Sequence, residues 1–176
     1  GIYNTKLTNN TAGGSGGGFY SYLSISSSRV YIKNSIISNN TSTSNGGGLF
    51  SYISSEIDAK LSIINTEVNN NSSTSGFGGG VYIDYDEKNS TSIYNSTFSN
   101  NTTSDNGGGI YLASHDYQLP TALSMSNVTI FNNKVTNQVY PLSQSGGLYL
   151  SSHASTRINI SNSTIFKNDK YGVYCF

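Results

Sequence analysis

The chain has one cysteine, Cys175, one methionine, two prolines and no tryptophan. A single cysteine excludes an internal disulfide framework and says little about compartment. Charge is nearly as scarce: 10% of the 176 residues are charged, nine basic against nine acidic. A nucleic-acid footprint needs a basic stripe, so no nucleic-acid partner is expected. No window holds 18 apolar residues, so no membrane span is expected. Helical spacing of apolar residues is missing too, and the Gly and Asn clusters would break a helix. The chain opens on Gly1, without an initiator Met or a signal-like segment, and so reads as a processed or excised piece.

What is present is polar and small: 23 Asn, 32 Ser, 16 Thr and 19 Gly, with 14 Tyr. Such polarity is compatible with disorder. The apolar residues, however, are Ile, Leu, Val, Tyr and Phe, which favour strands. A search for self-similarity resolves the question. The pattern Asn-x-x-Φ-x-x-Asn occurs six times, at Asn4-Leu7-Asn10, Asn34-Ile37-Asn40, Asn65-Val68-Asn71, Asn95-Phe98-Asn101, Asn127-Ile130-Asn133 and Asn162-Ile165-Asn168. Its first Asn advances by 30, 31, 30, 32 and 35 residues. A second mark, Gly-Gly-Φ-aromatic, alternates with it at Gly17–Tyr20, Gly47–Phe50, Gly79–Tyr82, Gly108–Tyr111 and Gly146–Tyr149, with a degenerate copy at Gly172–Tyr174.

Apolar residues two and four positions before each first Asn alternate as in a strand: Ile32 and Val30, Ile63 and Leu61, Met125 and Leu123, Ile160 and Ile158. Ile93 and Thr91 complete the columns. The residues after the glycines align likewise. Each repeat therefore predicts two clear strands and a third brief one around the central Φ. Residues 1–176 then form one all-β domain, a single-stranded parallel β-helix (solenoid) of about six coils without a helical cap. Coils lie about 4.8 Å apart, so equivalent side chains stack in columns. Both Asn columns are expected to point inward as hydrogen-bonded ladders that satisfy corner backbone groups. Phe98 plugs the core between them, and the glycines permit a turn at positive φ.

With GGGΦY and ΦxxN alternating, the chain resembles the repeats of the chlamydial polymorphic outer-membrane proteins. Those carry GGA(I/L/V) and FxxN tetrapeptides. Phe98-x-x-Asn101 matches literally, and Gly107-Gly108-Gly109-Ile110 differs by Gly for Ala. The other coils place Leu, Ile or Val at the Phe position. The resemblance spans Gly1 to Phe176 and implies a right-handed β-helix displayed outside the cell for adhesion or surface architecture. It implies no catalytic residue.

Parallel β-helices also serve polysaccharide-cleaving enzymes, which need clustered carboxylates, often with Ca²⁺ or with basic residues. The best cluster here is Asp84, Asp86 and Glu87, readable as a Ca²⁺ loop or as a solvated turn. Arg29 and Arg157, the only arginines, lie far apart in coil register. His115 beside Asp116 could do acid–base work, and His153 has a similar offset in its own coil, but no third partner is evident. No GK[ST] follows a glycine run. No catalysis, metal or cofactor is expected.

Glycosylation is the stronger signal. Twelve Asn begin N-x-S/T sequons, against about six expected from the Ser/Thr fraction. The residue before the second ladder Asn should point outward, and it starts a sequon in four consecutive coils: Asn9, Asn39, Asn70 and Asn100. Asn89 and Asn159 are further candidates. These positions predict a secreted, N-glycosylated protein. A second outward column, Tyr20, Phe50, Tyr82, Tyr111, Tyr149 and Tyr174, should be exposed. It reads either as a self-stabilising ring stack or as a surface for sugars or a partner.

Two functions fit: a structural subunit of an extracellular filament or coat, and an adhesin or carbohydrate-binding module whose loops (84–90, 115–120) hold a ligand. The ends favour the first. Gly1, Ile2 and Tyr3 already lie in strand register before Asn4, and Val173, Tyr174, Cys175 and Phe176 form a bare strand with Cys175 facing inward. Uncapped ends of this kind predict head-to-tail self-association, with an axial rise of roughly 27 Å.

Overall fold

The computed structural model describes residues 1–54, 58–85, 89–115, 122–137, 144–152 and 156–176. Every regular element among them is a strand, and the strands pair in parallel into four sheets that wind around one core. The first sheet stacks Ile2–Tyr3, Arg29–Lys33, Lys60–Ile64, Ser90–Tyr94, Ala122–Ser126 and Arg157–Ser161. The second stacks Lys6–Thr8, Ile36–Ser38, Glu67–Asn69, Thr97–Ser99, Thr129–Phe131 and Thr164–Phe166. A third holds Thr11–Ala12, Thr41–Ser42, Ser72–Ser73, Thr102–Thr103 and Lys134–Val135. The fourth holds Phe19–Leu23, Leu49–Ile53, Val81–Tyr85, Ile110–Ser114, Ser145–Ser152 and Tyr171–Cys175. Among the described residues these strands make five four-strand turns and a sixth turn of three strands.

Each of the first five coils has one strand more than the periodicity predicts. The two-residue third strand carries no apolar alternation because its inward residues are small and polar: Ser42, Ser73 and Thr103 are buried. Their hydroxyls donate to loop carbonyls, Ser42 Oγ to Ser44 O at 2.8 Å and Thr103 Oγ1 to Gly76 O.

The core is built of columns one coil apart. Ile32, Ile63, Ile93 and Met125 align on the first sheet, Ile37, Val68, Phe98 and Ile130 on the second, and Leu49, Val81, Ile110 and Leu148 on the fourth. All twelve are at most 1% exposed. Thr91, polar in an otherwise apolar column, meets a buried ring: the Tyr85 hydroxyl donates to Thr91 Oγ1.

The glycine triplets divide their work. Gly46 takes φ 68°, the turn that precedes the fourth-sheet strand. Gly47 permits close approach instead, since a Cβ there would lie 2.3 Å from Gly79 O of the next coil.

Candidate functional site

The two Asn columns differ in kind. The second runs inside the coil. Asn40, Asn71, Asn101 and Asn133 are at most 1% exposed, while Asn10 is exposed and Asn168 half-buried. Asn101 illustrates the geometry. Its Oδ1 accepts from Asn71 N and Asn71 Nδ2, both at 3.0 Å. Its Nδ2 donates to Asn133 Oδ1 at 3.0 Å and to Val68 O at 2.9 Å. The same set links Asn10 to Asn40, Asn40 to Asn71 and Asn133 to Asn168. All the amides point the same way, so each bond polarises the next.

The first column corrects the expectation of an inward ladder. Asn4, Asn34, Asn65, Asn95, Asn127 and Asn162 are all exposed. They adopt φ between 48° and 54°, the left-handed conformation in which Asn is enriched. The corner thus uses Asn for its backbone. The side chains still bond outside the coil, Asn34 Nδ2 to Asn4 Oδ1 at 3.2 Å, Asn65 Nδ2 to Asn34 Oδ1 at 3.1 Å, and Asn127 Nδ2 to Asn95 Oδ1 at 2.8 Å.

Beside this column runs an inward hydroxyl ladder that the sequence did not reveal. Ser35, Thr66 and Ser96 are buried. Each bridges its own coil and the one before: Ser96 Oγ accepts from Thr66 N at 3.1 Å and donates to Tyr94 O at 2.7 Å.

The second corner holds the predicted glycan acceptors. Asn9, Asn39, Asn70 and Asn100 are exposed, with φ from 54° to 60°. Asn132 continues the column at φ 55° without a sequon and donates from Nδ2 to Asn100 Oδ1 at 3.3 Å. Asn70 Nδ2 bonds Asn69 Oδ1 at 3.1 Å. Asn159 is exposed on the outer side of its strand. Asn89 is a correction: it is 3% exposed, its Oδ1 accepts from Ala59 N at 3.0 Å and its Nδ2 donates to Ile53 O at 3.4 Å. There it closes a loop from inside, with no room for a sugar.

The aromatic column is continuous, with centroids 5.0–5.2 Å apart and planes within 16° from Tyr20 through Phe50, Tyr82, Tyr111 and Tyr149 to Tyr174. Its predicted exposure holds only at Tyr20, 54% exposed; Tyr82 and Tyr149 are buried and the other three half-buried. Phe77 packs from its loop onto Tyr82 and Tyr111. Neighbouring rings cover each other's faces and leave edges outward, which suits mutual stabilisation better than stacking on a sugar. Burial, and then the Asp84 charge, raises the Tyr82 pKa, and burial pushes Tyr111 up to about 12. A shorter stack, Tyr22 on Tyr52, lies alongside.

Asp86, Glu87, Asp116 and His153 lie outside the described residues, so the proposed carboxylate loop and His115–Asp116 pair are not described. His115 instead meets Asp84, with Nε2 3.1 Å from Oδ1. Tyr82 Oη donates to Asp84 Oδ2 at 3.2 Å. Arg29 contacts Asp58 at 3.2 Å and shares a column with Arg157, four coils away. Among the described residues no three metal-binding side chains cluster.

At the ends, Ile2 pairs with Ile32, and Tyr174 and Cys175 pair with Tyr149 and Leu150. Cys175 follows Leu150 in the inward column and is exposed, as are Gly1, Tyr3, Val173 and Phe176. Among the described residues no helix is long and apolar enough to cross a membrane.

A family model described as a right-handed beta helix region matches residues 7–176. No curated protein and no solved structure matches the chain. With that match over nearly its whole length, and four parallel sheets wound in register, the chain belongs to the right-handed β-helix family.

Proposed function

We propose that the chain is a rigid structural solenoid of an extracellular surface, without catalytic activity or cofactor, carrying N-glycans along its second corner. The observation that carries this reading is the column Asn9, Asn39, Asn70 and Asn100. All four are exposed at a left-handed corner, each with Thr or Ser two residues on. The amide nitrogens of Asn9, Asn39 and Asn100 donate no hydrogen bond among the described residues, which leaves them open to modification. A surface role agrees with the β-helix fold and with the resemblance to chlamydial surface-protein repeats. Within this reading, solenoids stack end on end into a filament or coat through the same parallel pairing that joins one coil to the next. The test is the intact mass of protein secreted from a glycosylating host, before and after glycosidase. Glycan at the corner asparagines is the expected result, and an unmodified 18.8 kDa chain refutes the glycosylated form. Light scattering and micrographs address the stacking, and a monomer at high concentration counts against it.

The Tyr82–Asp84–His115 group favours a second reading, a ligand-binding module. A phenol, a carboxylate and an imidazole converge there beside the Tyr22–Tyr52 stack. Binding on a glycan array that Asp84→Asn abolishes would select this reading.

A further inference from the structure

We propose that Asn39, Asn70 and Asn100 guard the buried ladder asparagines that follow them against N-glycosylation. The inference rests on the glycosylated reading above. The stretches Asn39-Asn40-Thr41-Ser42, Asn70-Asn71-Ser72-Ser73 and Asn100-Asn101-Thr102-Thr103 each hold two overlapping sequons. The outer Asn of each pair is exposed at a corner, and the inner one is at most 1% exposed.

Transfer joins the amide Nδ2 to the anomeric carbon of a lipid-diphosphate-linked oligosaccharide. The C–O bond to the diphosphate breaks, the diphosphate leaves with the bonding electrons, and Nδ2 loses a proton. At Asn101 that nitrogen uses its two hydrogens on Asn133 Oδ1 and Val68 O. It also lies against the next element of its neighbour coil, where a Cβ on Gly80 would come within 2.9 Å of it. A sugar there is incompatible with the closed coil.

A transferase that meets the chain before folding cannot use burial to tell the two asparagines apart. Order and sterics can do so: the outer Asn comes first, and a glycan on it blocks the residue immediately beside it. Where the inner Asn is no sequon a guard is not needed: the first coil still keeps its outer acceptor Asn9, and the fifth, at Asn132, has none. Asn10 is followed by Thr11-Ala12 and Asn133 by Lys134-Val135, so neither inner Asn is a sequon. Ala12 and Val135 also show that the inward third-sheet column accepts a residue without a hydroxyl.

The test uses the full chain secreted from a glycosylating host. Asn100→Asp removes the outer acceptor, tolerates the left-handed corner and keeps an oxygen for Asn132. The expected result is a glycan at Asn101, read as conversion of that asparagine to aspartate by an amide-cleaving glycosidase, with secreted yield down several-fold. Adding Thr103→Val removes the Asn101 sequon. Gly76 O keeps Ser104 Oγ and Asp105 N, both at 3.2 Å. Yield should then recover with one glycan fewer than wild type. Normal secretion of Asn100→Asp with Asn101 unmodified overturns the inference, as does a yield loss that Thr103→Val leaves in place. A wild-type chain without glycan at Asn39, Asn70 and Asn100 refutes instead the reading on which the inference rests.

Discussion

Replacing Asn101 by Leu removes the centre of the inner ladder while keeping the branching of the side chain. Four hydrogen bonds disappear: two accepted from Asn71, one donated to Asn133 and one to Val68 O. Not every partner is stranded. Asn71 Nδ2 still donates to Ile37 O, and Asn133 Oδ1 still accepts from Asn101 N. The losses that remain are the Asn71 backbone N–H and the side-chain contact to Val68 O, both at buried residues. At about 1–3 kcal/mol for each unsatisfied buried group, the cost is about 2–6 kcal/mol. Urea unfolding of unglycosylated protein measures it, with Asn100→Gly as control. That substitution suits φ 55° and touches only an exposed side chain, so it should stay within about 0.5 kcal/mol. Equal midpoints and slopes for Asn101→Leu and wild type would refute the ladder's role in stability.

Other expectations concern single contacts. Thr91→Val strands the buried Tyr85 hydroxyl and should cost about 1–3 kcal/mol, whereas adding Tyr85→Phe should recover much of the loss; an additive cycle in denaturant melts would show that the pair is not coupled. Gly47→Ala forces a Cβ against the Gly79 carbonyl and should lower Tm strongly, while Gly13→Ala, with nothing within 4 Å, should leave it unchanged. Tyr82 and Tyr111 hold their protons above the ordinary value of 10.0, so the unfolded chain binds fewer protons than the folded one in alkali. Their contribution is intact below about pH 10 and is lost as pH rises through the folded values. A Tm that falls above that pH, and falls less in Tyr82→Phe/Tyr111→Phe, is the expected result; identical profiles would refute it.

The repeat, the columns and the inner ladder were legible because apolar spacing and Asn spacing coincide on one period. The first Asn column was not, since a corner can call on Asn for its side chain or for its backbone, and Asn34 serves mainly the second need. Asn89 carries a sequon outside any repeated column, so nothing in its neighbours revealed that its amide caps Ala59 from inside. The hydroxyl ladder through Ser35, Thr66 and Ser96 was hidden by abundance, because Ser and Thr occupy so many positions that one further column does not stand out. The aromatic column was visible as a column. Its burial was not, because Phe77 arrives from a loop of irregular length. The meeting of His115 with Asp84 follows from coil register: Asp84 pairs with Ala113, two residues before the histidine.

The inner ladder has a genetic consequence. Asn71 meets Asn40 and Asn101 through identical atoms, and so does every internal coil its neighbours. Excising residues 71–100 would join Asn70 to Asn101 and rebuild the same Asn-Asn-hydroxyl-hydroxyl corner, with each column merely one member shorter. Unequal recombination between repeats would therefore leave the ladder's hydrogen-bond pattern unbroken. The ladder itself thus sets no limit on the number of coils, and the rod can lengthen or shorten by whole coils without a break in it.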